Sequence, residues 1–381
     1  RGATVITGTG ETLAETDILV REGKIAEIGA GLTADEGMQV LDVAGWFVMP
    51  GMIDTHSHIM IEGGVNESSQ SIVPEVTIRD VVRSSDVSEY RALAGGVTTA
   101  RLLHGSANVI GGQDAVVKLK YGRPAHEQIL FDAPQGVKFA LGENVKARTD
   151  RFPNTRMGVE ATLKRAFFEA LDYRRRWQAY DLALKQDAAD TPPPIPPRRD
   201  LRLECLAAII DREAFIHCHC YRADEILMLL RTTEELGIRV QSLQHVLEGY
   251  KIAPEILAHG ASCSTFADWW AYKIEAYDAT PYNTTLLNRA GVNTVVKSDN
   301  AELIRHMNLE AAKSLRYGNM PFEDAVRLVT LNSARELSLD DRIGSIEVGK
   351  DADLAVFNGH PFSPYSRCEW TIIEGEVWFQ R

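Results

Sequence analysis

Between residues 49 and 345 the sequence alternates short apolar runs with longer amphipathic stretches, and this alternation restricts the fold more than any other feature. The strand-length runs are "GVTTARLLH", "ILFDAP", "GVKFAL", "EAFIHCHC", "IRVQSLQHV", "ASCSTFAD" and "VNTVVKSD". Helical patterns cover 157–188, 201–212, 222–236, 300–317 and 321–335. In 222–236 the residues Ile226, Leu227, Leu229, Leu230 and Leu236 fall largely on one stripe, and Gly237 follows as a stop. Pro321 opens the last stretch, with Glu323 and Asp324 in its first turn, as the helix dipole prefers. Strands separated by helices can only pair in parallel, so this region predicts an α/β fold around a parallel sheet, open or closed. "TPPPIPPRRD" at 191–200 cannot be helical and reads as a stiff surface connector.

The two ends have a different texture. "ATVITGTG", "TDILVREGKIAEIGAG" and "MQVLDVAGWFVMPG" at the start, and "GSIEVGKDADLAVFNG" and "CEWTIIEGEVWFQR" at the finish, are strand patterns with few helical signals. Glu22-Gly23 and Glu374-Gly375 are candidate two-residue hairpin turns. Both ends are therefore predicted to meet in one small sheet or sandwich.

Composition narrows the class. With 45% hydrophobic and 25% charged residues in 381, the chain is neither disordered nor fibrous. It lacks the ~18 uninterrupted apolar residues of a membrane span. Lys plus Arg number 41 against 53 Asp plus Glu, a formal charge of −12, which argues against nucleic acid or an anionic membrane as partner. A small-molecule substrate is the expected partner, with a homo-oligomer left open. Five cysteines without a CxxC pair form neither a disulfide framework nor a thiolate zinc site, and favour a reducing, cytoplasmic setting. No GxGxxG follows the first strand and no GxxxxGK[ST] occurs, so dinucleotide and P-loop chemistry have no support.

The chemistry concentrates in histidines at strand ends. His56-Ser57-His58 follows "VMPGMIDT"; residues i and i+2 of a strand face the same way, so two imidazoles can meet one cation. A second His-x-His, His217 and His219, lies in "FIHCHC"; His245 ends "IRVQSLQ", and Asp299 ends "TVVKSD". A lone histidine at a strand end is ordinarily a hydrogen-bonding or surface residue. Five of the ten histidines at such ends, with a terminal aspartate, point instead to a borderline divalent metal. His104, which closes "TTARLLH", is the remaining histidine expected to line the site. Tyr221 and Arg222 in "CYRADE", Glu248 and Tyr250 in "HVLEGY", Asn108 and Gln113 in "HGSANVIGGQ", and Trp269 and Trp270 in "FADWWAYK" are candidate substrate contacts. "LGENVKARTDRF" at 141–152 is predicted to be a loop over the site, with Arg148 and Arg151 as solvated charges.

"PGMIDTHSH", the following "GGVTTAR" and the late "EVGKDADLAVF" together resemble the amidohydrolase superfamily, and more narrowly its imidazolonepropionase-related and prolidase-like branch. The resemblance implies a distorted (β/α)8 barrel over 49–345 and a small β-sandwich from 1–48 and 346–381. It implies metal ligation by His56, His58, His217 (rather than His219), His245 and Asp299. Lys138 in "GVKFAL" matches the lysine that binuclear members carboxylate; unmodified in an apolar strand it would be costly to bury. The expected cofactors are two divalent ions, zinc first, with Mn, Fe, Co or Ni as alternatives, bridged by the Lys138 carbamate. In such enzymes a water made acidic by the ions attacks an amide-type C–N bond, with Asp299 moving its proton and His219 contacting substrate or oxyanion. A one-ion deaminase-type hydrolase is the alternative, and a non-catalytic scaffold of the same fold a more distant one.

Overall fold

The computed structural model describes residues 1–148, 150–186 and 193–381. Four strands open the chain: β1 (Ala3–Ile6), β2 (Thr12–Arg21), β3 (Lys24–Gly29) and β4 (Phe47–Pro50). The middle supplies β5 (Met52–Ser57), β6 (Val97–Leu102), β7 (Ile110–Gln113), β8 (Ala115–Lys118) and β9 (Gln135–Ala140). It continues with β10 (Ala214–Cys220), β11 (Val240–His245), β12 (Ser262–Thr265) and β13 (Thr294–Val296). The last three are β14 (Leu354–Phe357), β15 (Cys368–Ile373) and β16 (Glu376–Gln380).

Both chain ends join one seven-stranded sheet in the order β16-β15-β14-β4-β1-β2-β3. Glu22 and Gly23, and again Glu374 and Gly375, have consecutive positive φ, the backbone of a tight turn whose twist matches its flanking strands. The sheet has its own apolar core, including Val5, Ile25, Val48, Leu354 and Ile372.

The central strands form a six-stranded sheet, β13-β12-β11-β10-β9-β7, and a three-stranded one, β5-β6-β8. From β9 to β13 every pairing is parallel, as the strand–helix alternation requires. Helices Met157–Lys185, Leu201–Ile210, Ala223–Glu235 and Met307–Gly318 match predicted stretches. The predicted ends of the long helix and of the proline connector reach residues 187–192, which lie outside those described. Two expectations need correction. "ILFDAP" is not a strand; the strand β8 comes earlier, with β7 just before it in the Gly-rich stretch read as a loop. The helix expected over 321–335 divides into Phe322–Arg327 and Leu331–Leu337, because Thr330 leaves helical geometry and its hydroxyl donates back to the Val326 carbonyl. Among the described residues no helix is long and apolar enough to cross a membrane.

Candidate metal centre

Asp54 builds the floor of the site. Buried in β5, its carboxylate accepts from the backbone N–H of Ser298 at 3.1 Å, from the Ser298 hydroxyl, and from the N–H of His56 at 3.3 Å. Burial pushes its pKa up to about 6. These bonds clip the turn after β13 to the end of β5, and the Asp299 N–H completes the clip on the His56 carbonyl at 3.0 Å. Asp299 adopts φ +49°, a conformation uncommon for a side-chain-bearing residue and held here by the clip.

The clip brings His56, His58 and Asp299 together, with one ligand atom from each within 4.8 Å of the others. Asp299 Oδ1 lies 3.6 Å from His56 Nε2 and 3.4 Å from His58 Nε2. Each ring is tethered from behind: His56 Nδ1 to Gln244 Oε1 and His58 Nδ1 to the Leu103 carbonyl, both at 2.8 Å. A ring that donates from Nδ1 keeps its Nε2 lone pair, which both histidines aim at the aspartate. Burial lowers the pKa of His58 to about 4 and that of His56 well below the usual histidine range, so both rings are neutral and able to ligate.

Two lysines reach the same space. Lys138 Nζ is 3.3 Å from His56 Nε2, and burial brings its pKa down to about 7. Lys297, fully buried, lies 2.6 Å from His245 Nδ1 and 3.3 Å from Asp299 Oδ2, with its Nζ 3.4 Å above the Phe266 ring centre. The sequence reading missed Lys297. Its signal was present: a lysine two residues before Asp299 on an apolar strand raises the same burial question as Lys138.

His219 and His245 form the other side, their ring centres 4.4 Å apart and His245 4.9 Å from His56. Both carry a buried Nε2 with no hydrogen-bond partner, and burial keeps both neutral. A buried orphan imidazole nitrogen is unfavourable unless something binds it. Donor chemistry and orphaned nitrogens together fit a borderline divalent cation.

His217, expected among the ligands, is not brought into this group. It pairs with Lys138 across β9 and β10, but lies one pleat deeper than His219, and its Nδ1 meets Arg101 Nη1 and Ser242 Oγ, each at 2.7 Å. The lysine stem spans that extra depth; an imidazole does not.

The expected substrate contacts divide. Tyr221 stacks on His245 at 5.0 Å and 8°, and its hydroxyl accepts from Tyr272 at 2.9 Å. Phe266 and Trp269 stack at 4.1 Å beside it. His104 is fully engaged with backbone, its Nε2 accepting from Glu67 N–H and its Nδ1 bonded to the Gly105 carbonyl, each at 2.9 Å. Arg222 pairs with Asp224 at the surface. Tyr250 donates to the Asp278 carbonyl, and Glu248 accepts from the Ala223 N–H. Asn108 and Gln113 donate to the loop carbonyls of Glu67, Gln70 and Pro74. Trp270 is half exposed. Arg148 is the expected solvated charge, paired with Asp150. Arg151 is not: it fastens three loops through the carbonyls of Ser68, Gln70 and Ala107.

A parallel-stranded fold with histidines and an aspartate converging at strand ends is the arrangement of metal-dependent hydrolases. Residues 47–378 match the sequence profile of the Amidohydrolase family, and the chain belongs to that family. It is 30% identical to the amidohydrolase tasK of Hapsidospora irregularis over 95% of this chain, while spanning only 40% of that protein's length. It is 22% identical to an imidazolonepropionase of Thermoplasma volcanium, over 90% of this chain and 83% of that one. The crystal structure of an amidohydrolase from Thermotoga maritima MSB8 superposes with a TM-score of 0.90 at 33% identity, covering 100% of this chain and 99% of the other.

Proposed function

We propose that this chain is a divalent-metal hydrolase of amide-type C–N bonds in small molecules, such as N-acyl amino acids, dipeptides or cyclic amides. The observation that carries the reading is the convergence of His56, His58 and Asp299, with both rings neutral and tethered through Nδ1. Family membership and the amidohydrolase relatives support it.

One ion would be held by His56, His58 and Asp299, and a second by His219 and His245, with Lys138 as a carbamate between them. His219 thus takes the ligand role first assigned to His217. Carbamate formation needs an uncharged amine, which the lowered Lys138 pKa supplies near neutral pH. Zinc is the expected metal for this His and carboxylate set. Such ions, when bound, polarise a carbonyl and acidify water. Asp299, within reach of the site through both carboxylate oxygens, would take a proton from the attacking water and return it to the leaving nitrogen. Tyr221, Phe266 and Trp269 form an apolar wall that orients substrate and excludes bulk solvent.

The architecture fits the same reading. We take the two central sheets as the wall of one distorted (β/α)8 barrel over 49–345. Support comes from bonds across both seams: Thr55 to Ser264 at 2.8 Å, and the Asp114 N–H to the Gly136 carbonyl at 3.0 Å. The terminal sheet, with its separate core, is read as the small sandwich of 1–48 and 346–381. Five unpaired cysteines favour a cytoplasmic location.

Screening the zinc-loaded protein against N-acyl amino acids, dipeptides and cyclic amides tests the activity. At least one member is hydrolysed, and Asp299→Ala lowers that rate by about a hundredfold or more. No hydrolysis of any member, or full activity in Asp299→Ala, contradicts the reading.

A further inference from the structure

Beneath the candidate metal centre, Arg101 is buried in β6 with its guanidinium donors aimed at buried acceptors. Its Nε donates to the Thr55 carbonyl at 2.9 Å, and its Nη2 donates to Oε1 of Glu336, a fully buried carboxylate on the helix Leu331–Leu337. The same Glu336 oxygen accepts from Gln244 Nε2 at 2.8 Å. Gln244 Nε2 also reaches Ser242 Oγ at 2.7 Å, and Gln244 Oε1 meets His56 Nδ1 at 2.8 Å.

Donor and acceptor rules leave this chain one direction. The Glu336 oxygen that faces Gln244 already takes the Arg101 Nη2 hydrogen, so it meets Gln244 as an acceptor. Gln244 must then present its NH2 to Glu336 and its carbonyl oxygen to His56, because the reverse would aim oxygen at oxygen. Facing an acceptor, His56 must carry its proton on Nδ1. Its Nε2 is left as a lone pair, directed at Asp299.

We propose that Glu336 and Gln244 are positioning residues of the metal centre, which hold His56 in the tautomer that leaves its Nε2 free to ligate. This rests on the reading of His56 as a ligand, and extends it to a helix that does not touch the ion site. Glu336 contacts Arg101 and Gln244 alone among the polar groups on this path, so its role is exerted through Gln244.

The test uses full-length protein labelled with 15N-histidine, with Gln244→Met and Glu336→Gln beside the wild type. Chelator-treated samples report the His56 tautomer from long-range 1H–15N spectra, and zinc affinity is measured by competition with a chromophoric chelator. In the wild type His56 is protonated on Nδ1. In Gln244→Met the Nε2–H form appears while His58, tethered to a carbonyl, is unchanged, and zinc binds about tenfold or more weakly. Glu336→Gln keeps an acceptor oxygen opposite the Gln244 amide and retains the Nδ1–H form. An unchanged tautomer in Gln244→Met overturns the proposal, as does a Glu336→Gln protein that loses the Nδ1–H form to the same degree. A wild-type protein that binds no zinc would instead sink the metal reading, since the tautomer is observed without metal.

Discussion

A buried amine is an unfavourable place for a proton, and the site contains two. Lys138 falls to about 7 and Lys297 to about 8, in both cases because burial opposes the charged form. In the unfolded chain Lys138 titrates near 10.5, so between pH 7 and that value the unfolded state binds more protons than the folded one. Stability contributed by this residue therefore rises with pH across that window. Urea unfolding of the chelated protein at pH 7 and pH 9 is expected to show this rise, on the order of 1 kcal/mol per pH unit, and Lys138→Met to reduce it. A Lys138→Met protein with the wild-type pH dependence would show that the amine is not desolvated as described. At this scale the sequence exposed His56, His58 and Asp299, which the structure brings together. The two-residue period of a strand was enough to pair His56 with His58; Asp299 joined them as a strand-end carboxylate, and Lys138 only through the family resemblance. The period was not enough to choose between His217 and His219, which share a face and differ only in depth. Gln244 was invisible, because nothing in a lone glutamine announces that its neighbour across space is a ligand.

At the scale of elements, periodicity located the parallel strands and most helices, but not the stretch Ile110–Lys118. Glycines there read as a loop, yet Gly111 and Gly112 are strand residues with no room for a side chain. A Cβ on Gly111 would lie 2.7 Å from His104 Nδ1, and one on Gly112 would lie 2.7 Å from Val76. The end of that stretch also couples the two parts of the chain. Lys118, buried in β8, meets Asp351 at 2.6 Å, Asp353 at 3.3 Å and Glu374 at 2.9 Å, all beside the terminal sheet. Burial lowers its pKa, but Asp353 and Asp351 outweigh that and raise it overall. Removing the cation strips the buried Asp353 of its cationic partner, while Asp351 keeps Lys24 and Arg342 and Glu374 keeps Lys120, so Lys118→Met is expected to lower unfolding stability by about 3 kcal/mol. Chemical denaturation measures it; a loss within about 0.5 kcal/mol would show that the cluster does not tie the parts together.

For the whole molecule, the two chain ends meet in one sheet although most of the sequence lies between them, and the central strands carry the candidate ligands at their ends. Strand patterns at both ends made that meeting readable in advance, and strand–helix alternation gave the parallel sheet between them, where composition gave only a chain of net charge −12. The account turns on an ion lying among side chains drawn from separate strands. Anomalous diffraction at the zinc edge, from crystals grown with zinc, locates it directly. The predicted result is a peak about 2.1 Å from His56 Nε2 and His58 Nε2 and from an oxygen of Asp299. A zinc-soaked crystal with no peak there, or with its strongest peak beside His217 and Asp114, would contradict it.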